Sequence, residues 1–228
     1  MRPDQAILNG HAYDSAYMSK PLRYFTGPRT AFIDELPDQP AAKLLEIGCA
    51  GGDTAACAKA RGKCGWSVGV ELCPGPAADA EQKMDRVIVG DVESLDLPFE
   101  PGTFDVLLLS EVLEHLRDPW AVLRKLHGLL KPGAQVIAGS PNVAHHSIIR
   151  MLLRGRWDYA EVGLMDVTHL RWFTPDTYRQ LFEDCGYSVE AVGPASPLRR
   201  KAASFDWVTL GRLRHLLHSQ IRLKAIRR

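Results

Sequence analysis

The sequence predicts an α/β domain: a mostly parallel sheet with helices on both faces. Three observations carry this expectation. Short β-rich runs alternate with helix-like stretches along most of the chain, the pattern of strand–helix–strand units. An apolar run, Leu44-Leu-Glu-Ile47, passes directly into the glycine-rich turn Gly48-Cys-Ala-Gly-Gly52. Of the 228 residues 46% are hydrophobic, enough to bury one core, and nothing demands a second domain.

The first turn sets the chemistry. Gly48 and Gly51 or Gly52 allow positive φ and close approach of the backbone to a ligand. Glu46 stands where the strand ends, facing the crevice. A pyrophosphate site of the NAD type prefers G-x-G-x-x-G. Here an acid lies two residues before the first glycine; it repels a pyrophosphate and pairs with an ammonium. The turn therefore predicts a nucleoside ligand with a positive amino group and argues against an NAD oxidoreductase.

The remaining elements follow in order. A helix is expected over 54–61, then the strand Trp66-Ser-Val-Gly-Val-Glu71, whose terminal carboxylate can accept both ribose hydroxyls. A helix over 76–84 leads to Arg86-Val-Ile-Val-Gly-Asp91, followed by Val92. The fourth strand, Phe104 to Ser110, runs into Glu111-Val-Leu-Glu-His-Leu116. A helix over 119–130 and a Lys-Pro-Gly turn precede a fifth strand, Gln135 to Ser140. Thr174-Pro175 supplies a cap and first-turn proline for a helix over 175–185. Tyr187 to Val192 and Ile221 to Ala225 alternate at period 2, as strands do. Residues 1–40, with Tyr13, Tyr17, Tyr24 and Phe25, read either as a helical lid over the crevice or as packing against the sheet edge.

The Glu46–Gly52 pattern resembles the first motif of class I S-adenosylmethionine methyltransferases, E/D-x-G-x-G-x-G, with Ala50 replacing the middle glycine. Order and spacing stay similar over about residues 40–195. The resemblance implies a Rossmann-like seven-stranded sheet in which the 221–225 run is a reversed, antiparallel strand seven. It implies S-adenosylmethionine as cofactor, with Glu46, Gly48, Cys49, Ala50, Gly52, Glu71, Leu72, Asp91, Val92, Ser110 and Glu111 around it, the Asp91-Val92 turn near the adenine.

Acceptor chemistry belongs to loops at the carboxyl ends of the fourth and fifth strands. If one helical turn follows the fourth strand, Glu111, Glu114 and His115 share a face. Together they could hold a divalent cation, which could lower a hydroxyl's pKa or orient it. The segment Asp166-Val-Thr-His-Leu-Arg-Trp-Phe-Thr174 resembles the histidine-bearing segment of metal-assisted methyltransferases of ubiquinone biosynthesis and small-RNA 2′-O-methylation. That resemblance implies Glu111, Glu114, His115 and His169 as ligands, with Mg²⁺ as candidate ion. Without metal, His115 and His169, and His145 in the preceding loop, are candidates for general base. Arg171 is expected to bind an anion or pair with Asp166.

Residues 141–173 form a connection far longer than the roughly two to six residues usual there, and read as a substrate cap with a short helix over 147–153. Trp157 and Trp172 serve either as faces for a sugar or as anchors of the cap. The run Pro141-Asn-Val-Ala-His-His through Asp166 to Thr174 resembles bacterial methyltransferases of cell-surface polysaccharide synthesis, which implies a saccharide acceptor. A sulfonium methyl is already activated, so the enzyme's task is to align a nucleophile and exclude water. Oxygen is the expected nucleophile, because bases or ligands are at hand and the Asp/Asn-Pro-Pro-Tyr run of nucleobase N-methylation is missing. An aromatic or quinol hydroxyl is the alternative acceptor. A non-catalytic regulator, similar to a methionine-biosynthesis protein of this fold, is the alternative of another class.

Charge and cysteine content limit the setting. Net charge is +1, which makes no case for nucleic acid. Five cysteines without C-x-x-C pairing suggest reduced thiols and a cytoplasmic protein. No apolar stretch reaches the roughly 20 residues of a spanning helix. Residues 199–228 nevertheless hold nine Lys or Arg against one acid, Asp206. Trp207, Leu210, Leu213 and Leu217 fall on one helical stripe. This basic segment is expected either to cover the sheet edge as an amphipathic helix or to touch an anionic membrane surface.

Overall fold

A computed structural model describes Tyr17, Lys20 and residues 25–196 and 207–228. Seven strands form one sheet: β1 (Lys43–Ile47), β2 (Trp66–Glu71), β3 (Arg86–Val89), β4 (Phe104–Ser110), β5 (Leu130–Pro141), β6 (Tyr187–Pro194) and β7 (Gln220–Arg227). Their order is β3-β2-β1-β4-β5-β7-β6. The first five are parallel, and β7 lies antiparallel between β5 and β6. The expected reversed seventh strand is therefore present.

The central strands are buried nearly throughout, as a parallel sheet covered on both faces requires. Period-2 alternation sends successive side chains to opposite layers. Leu45, Leu107, Leu109 and Val136 pack against α4 (Pro119–Leu129) and α6 (Pro175–Glu183). Leu44, Val106, Leu108 and Ile137 pack against α1 (Thr30–Ile33) and α2 (Asp53–Ala60). The small α3 (Pro74–Ala80) adds Ala80 to the second layer. Phe32 and Ile33 of α1, with Leu36, belong to this core, so residues 30–36 pack on the sheet. Tyr13 and Tyr24 of the expected lid lie outside the described residues.

Caps fix where the second layer begins. The Asp118 carboxylate accepts the Ala121 amide at 2.9 Å, with Pro119 opening α4. Thr174 and Thr177 form a reciprocal capping box before α6. Two buried tyrosines tie these helices to the sheet: the Tyr178 hydroxyl donates to the Gly139 carbonyl at 3.2 Å, and the Tyr187 hydroxyl to Leu123 at 2.9 Å.

The site is positioned by strand order. The chain winds outward through β1, β2 and β3, then returns to place β4 on the other side of β1. That reversal opens a crevice at the carboxyl ends of β1 and β4. The cap contains α5 (His146–Leu152), one residue from its expected span.

The C-terminal segment departs from the expected amphipathic helix over the sheet edge. Trp207 and Val208 are helical, and from Thr209 to Leu217 the chain forms turns and a short 3-10 helix, Arg214–Leu216. Leu210 has φ +51 and Gly211 φ +75, and left-handed residues in succession interrupt a right-handed helix. Trp207 and Leu210 are consequently 80% and 78% exposed.

Gly139 on β5 marks the tightest contact between sheet and α1. A Cβ there would lie 2.4 Å from Cζ of Phe32 and 3.2 Å from the Ile221 carbonyl oxygen. Gly139→Ala should lower stability by about 1–3 kcal/mol through overpacking, measured by urea unfolding. Phe32→Leu in the same background should recover part of the loss.

Candidate functional site

The turn after β1 has the shape its sequence predicts, with a division of labour among its small residues. Gly48 has φ +69, and a Cβ there would lie 2.6 Å from Cγ2 of Val112. Gly52 has φ +76 and caps α2; its neighbour is the Ala80 backbone, 3.0 Å from an added Cβ. Gly52 thus serves packing between α2 and α3. Ala50 also takes a left-handed φ, +48, a conformation that costs an L residue about 1–2 kcal/mol. The carboxylate of Glu71 secures the turn: Oε2 accepts the Ala50 amide and Oε1 the Cys73 amide, both at 2.9 Å. Remaining lone pairs on both oxygens can accept ligand hydroxyls.

Three adjoining spaces open from this turn. The first is lined by Gly48, Glu71, Leu72, Asp91, Val92 and Val112, among others, and fits a ribose and flat base. Asp91 there pairs with Arg117 at 3.0 Å. The second is lined by Glu46, Cys49, Ala50, Ser110 and Arg29. Glu46 is 2% exposed and its Oε2 has no partner. Burial pushes its carboxyl up to about 8, against the opposing pull of the Ala55 amide, the Thr54 hydroxyl and Arg29. The buried Cys49 thiol is likewise raised by desolvation, which keeps it neutral. Arg29 was not singled out from sequence; it precedes the first strand and carries no motif. Its position opposite Glu46 makes a zwitterionic pair of docking groups, a carboxylate for an ammonium and a guanidinium for a carboxylate.

The third space lies between the end of β4, the 141–173 connection and the start of β7. Its walls include Glu111, Glu114, His115, Asp166, His169 and Gln220. Glu114, His115 and His169 are buried, and their ligand atoms lie within 4.8 Å of one another. Glu111 does not join that cluster. The expected single helical turn is instead a left-handed residue, Glu111 at φ +58, followed by a 3-10 turn, Leu113–His115. The Glu111 carboxylate meets Gln220, whose Nε2 donates to Oε1 at 2.6 Å, and still faces the space that Glu114 lines. Glu111 thereby lines all three spaces.

The imidazoles are oriented by carbonyls. Nδ1 of His115 lies 3.1 Å from the Thr168 carbonyl and Nδ1 of His169 lies 3.3 Å from that of Leu164. A carbonyl only accepts, so each Nδ1 carries the proton and each Nε2 a lone pair. Desolvation lowers both histidines, His115 to about 3, so both are neutral near pH 7. Burial, then the Glu111 charge, raises Glu114 well above the carboxylate range. Both Glu114 oxygens lack hydrogen-bond partners, an expensive arrangement unless a ligand fills it.

Lys20 and Tyr17 close the site. Lys20 Nζ contacts both Asp166 oxygens, at 2.7 and 2.8 Å, with side chains 6% and 1% exposed, and it also donates to the Glu161 carbonyl. The Tyr17 ring meets His115 edge-on at 5.5 Å. Asp166 therefore pairs with Lys20 in place of the expected Arg171, which donates to the Arg117 carbonyl. His145 is not brought to these walls: its Nδ1 lies 2.7 Å from the Ser147 hydroxyl, where it caps α5. Trp157 and Trp172 contact each other edge-on at 5.5 Å.

Comparison with known proteins agrees with this geometry. A family model described as a methyltransferase domain matches residues 16–192. The ubiquinone biosynthesis O-methyltransferase of Pseudomonas aeruginosa PAO1 is 31% identical over 155 residues, 61% of this chain and 66% of that protein. The chain thus spans slightly less than two thirds of that relative's length. An uncharacterized 37.1 kDa protein in transposon TN4556 of Streptomyces fradiae is 25% identical over 197 residues, 79% of this chain and 53% of that one. Among solved structures, an S-adenosylmethionine-dependent methyltransferase from Archaeoglobus fulgidus superposes with TM-score 0.63 and 18% identity over 90% of this chain and 97% of that one. A second, from Mesorhizobium loti, gives TM-score 0.62 and 16% identity over 92% and 100%. At such identities the structural likeness speaks for the fold.

Glu46 offers a pH-linked test. With its folded pKa raised from 4.5 to about 8, the empty site keeps the proton near pH 7, whereas a bound ammonium favours the carboxylate. Binding of S-adenosylhomocysteine near pH 7 should therefore release a proton from Glu46, and affinity should rise with pH up to about 8. Calorimetry in buffers of different ionisation enthalpy measures the release. Glu46→Gln should abolish this contribution and weaken binding by roughly 10- to 100-fold, the worth of a charge-assisted hydrogen bond.

Proposed function

The chain belongs to the class I S-adenosylmethionine-dependent methyltransferases, and from that premise we propose that it methylates a hydroxyl of a small acceptor held in the third space. The observation that carries this reading is the convergence of His115, His169 and Glu114 in a cavity that shares the Glu111 wall with the cofactor crevice. In this reading Glu46 takes the cofactor's ammonium, Arg29 its carboxylate and Glu71 its ribose hydroxyls, while the base lies along Asp91-Val92. The sulfonium methyl then points past Glu111 toward the acceptor.

The residues do what a methyl transfer between fixed partners needs. The acceptor oxygen must lie in line with the S–CH₃ bond at roughly 3 Å. Tyr17 and the Lys20-clamped cap keep water from that path. A hydroxyl must lose its proton during transfer, and neutral Nε2 lone pairs on His115 and His169 are suited to receive it. Alternatively, a divalent ion, implied by resemblance to metal-assisted methyltransferases, would be held by Glu114, His115 and His169, whose imidazole lone pairs would then serve as ligands and not as bases. When bound, such an ion lowers the pKa of the acceptor hydroxyl. Glu111 faces the same cavity, and its role is to hold the boundary between cofactor and acceptor.

A saccharide hydroxyl is the acceptor we favour, on the resemblance of the 141–174 segment to polysaccharide-associated methyltransferases. A quinol hydroxyl is the second reading, favoured by the 31% identity to a ubiquinone biosynthesis O-methyltransferase. Methyl transfer from labelled S-adenosylmethionine to a panel of both acceptor types separates them. His169→Ala and Glu114→Gln should each lower kcat by about 100-fold or more with unchanged affinity for S-adenosylhomocysteine. EDTA should lower activity and Mg²⁺ restore it. Full activity in His169→Ala would remove this cavity from the chemistry, and cofactor binding without transfer to any acceptor would favour the non-catalytic regulator.

A further inference from the structure

We propose that α5 and the 207–217 segment together form a docking surface for an anionic lipid bilayer. The two stretches are joined in space. Nδ1 of His146, at the start of α5, lies 3.1 Å from the Leu216 carbonyl. The Asn142 amide donates to the carbonyls of His215 and His218 at 2.6 and 2.8 Å.

What this surface exposes is unusual for a water-facing one. Leu153 is 83% exposed, Trp207 80% and Leu210 78%. Leu210 is held at φ +51 as well, so an apolar side chain is presented to solvent from a backbone conformation that leucine disfavours. Isolated exposed apolar residues are ordinary, but several on adjoining segments mark an interaction surface.

Charge identifies the occupant. Arg150, Arg154 and Arg212 are exposed among these residues. Asp158 is the sole carboxylate within 146–160 and 207–218, and Arg156 already pairs with it at 2.6 Å. A surface of leucine and tryptophan beside arginines that pair with no carboxylate among the described residues is complementary to anionic headgroups over acyl chains. A protein partner of matching apolar character would not require the cationic excess. Among the described residues no helix is long and apolar enough to cross a membrane, so the contact is interfacial. Both stretches lead to the rim of the third space, which Gly163, Leu164, Ser219 and Gln220 line. Docking would bring that rim near the headgroup plane.

The test is co-sedimentation of the full chain with vesicles of equal parts phosphatidylglycerol and phosphatidylcholine, against phosphatidylcholine alone. Binding should need the anionic lipid and vanish near 1 M salt, where the Debye length is about 3 Å. The triple variant Arg150→Ala/Arg154→Ala/Arg212→Ala should partition about 100-fold more weakly, and Leu153→Ser/Leu210→Ser at least 10-fold more weakly. S-adenosylhomocysteine affinity, unchanged in all variants, shows that the fold persists and reports separately on the cofactor reading. No vesicle binding at low salt, or binding that ignores these substitutions, overturns the proposal. A concentration-dependent dimer lost in Leu153→Ser/Leu210→Ser would overturn it too, because a second copy would then be the occupant.

Discussion

The left-handed turn at Glu111 is the constraint on which the site depends. β4 ends there with the Glu111 amide donating to the Gly139 carbonyl at 3.0 Å, and the chain then reverses into a 3-10 turn. This reversal aims Glu111 at the crevice and turns Glu114 and His115 into the third space. The turn also carries the cap, because the Glu114 carbonyl accepts the amides of Leu170 and Arg171 at 2.8 and 3.0 Å. A non-glycine residue at positive φ stores conformational cost, and such cost is tolerated where surrounding contacts over-determine the backbone. Here the Gly139 carbonyl and the Gln220 amide supply those contacts.

Around that turn the protein concentrates buried acids, with Arg29 as the cation acting on both Glu46 and Glu111. Glu46, Glu71, Glu111 and Glu114 all have carboxyls raised by burial. For the fold alone this is unfavourable, since desolvated carboxyls either keep their protons or repel one another. The arrangement becomes favourable when a cationic ligand enters, and perturbed groups in a cleft are what a binding site is expected to hold. Glu71 is the intermediate case, because backbone amides of the turn and of α3 already hold both its oxygens.

The cap is secured by electrostatics of a different kind. Lys20 and Asp166 are both almost fully buried, and the aspartate also accepts the Thr168 amide and hydroxyl at 2.9 and 2.7 Å. A buried pair satisfied on both sides is costly to break from either side. It fastens Lys20 to the loop bearing His169.

By itself the sequence determined the strands and the glycine-rich turn, because these rest on local signals: period-2 apolar runs, strand-ending acids and glycines at positions where a Cβ collides; the reversed direction of β7 was implied only by the family resemblance. The 141–173 connection stood out for a similar reason, as a stretch too long to be a turn. What it could not determine were relations between distant segments. Arg29 faces Glu46 and Lys20 meets Asp166 only through folding, and neither has a motif. Equal spacing on paper put Glu111, Glu114 and His115 on one helical turn; the left-handed Glu111 and the 3-10 turn leave all three on one space, with Glu111 outside the tight cluster of Glu114, His115 and His169. His145, similar in composition to its neighbours, went to capping α5. The apolar stripe at 207–217 read as a helix face, yet Leu210 and Gly211 break the helix, so tertiary structure decided that those side chains face outward.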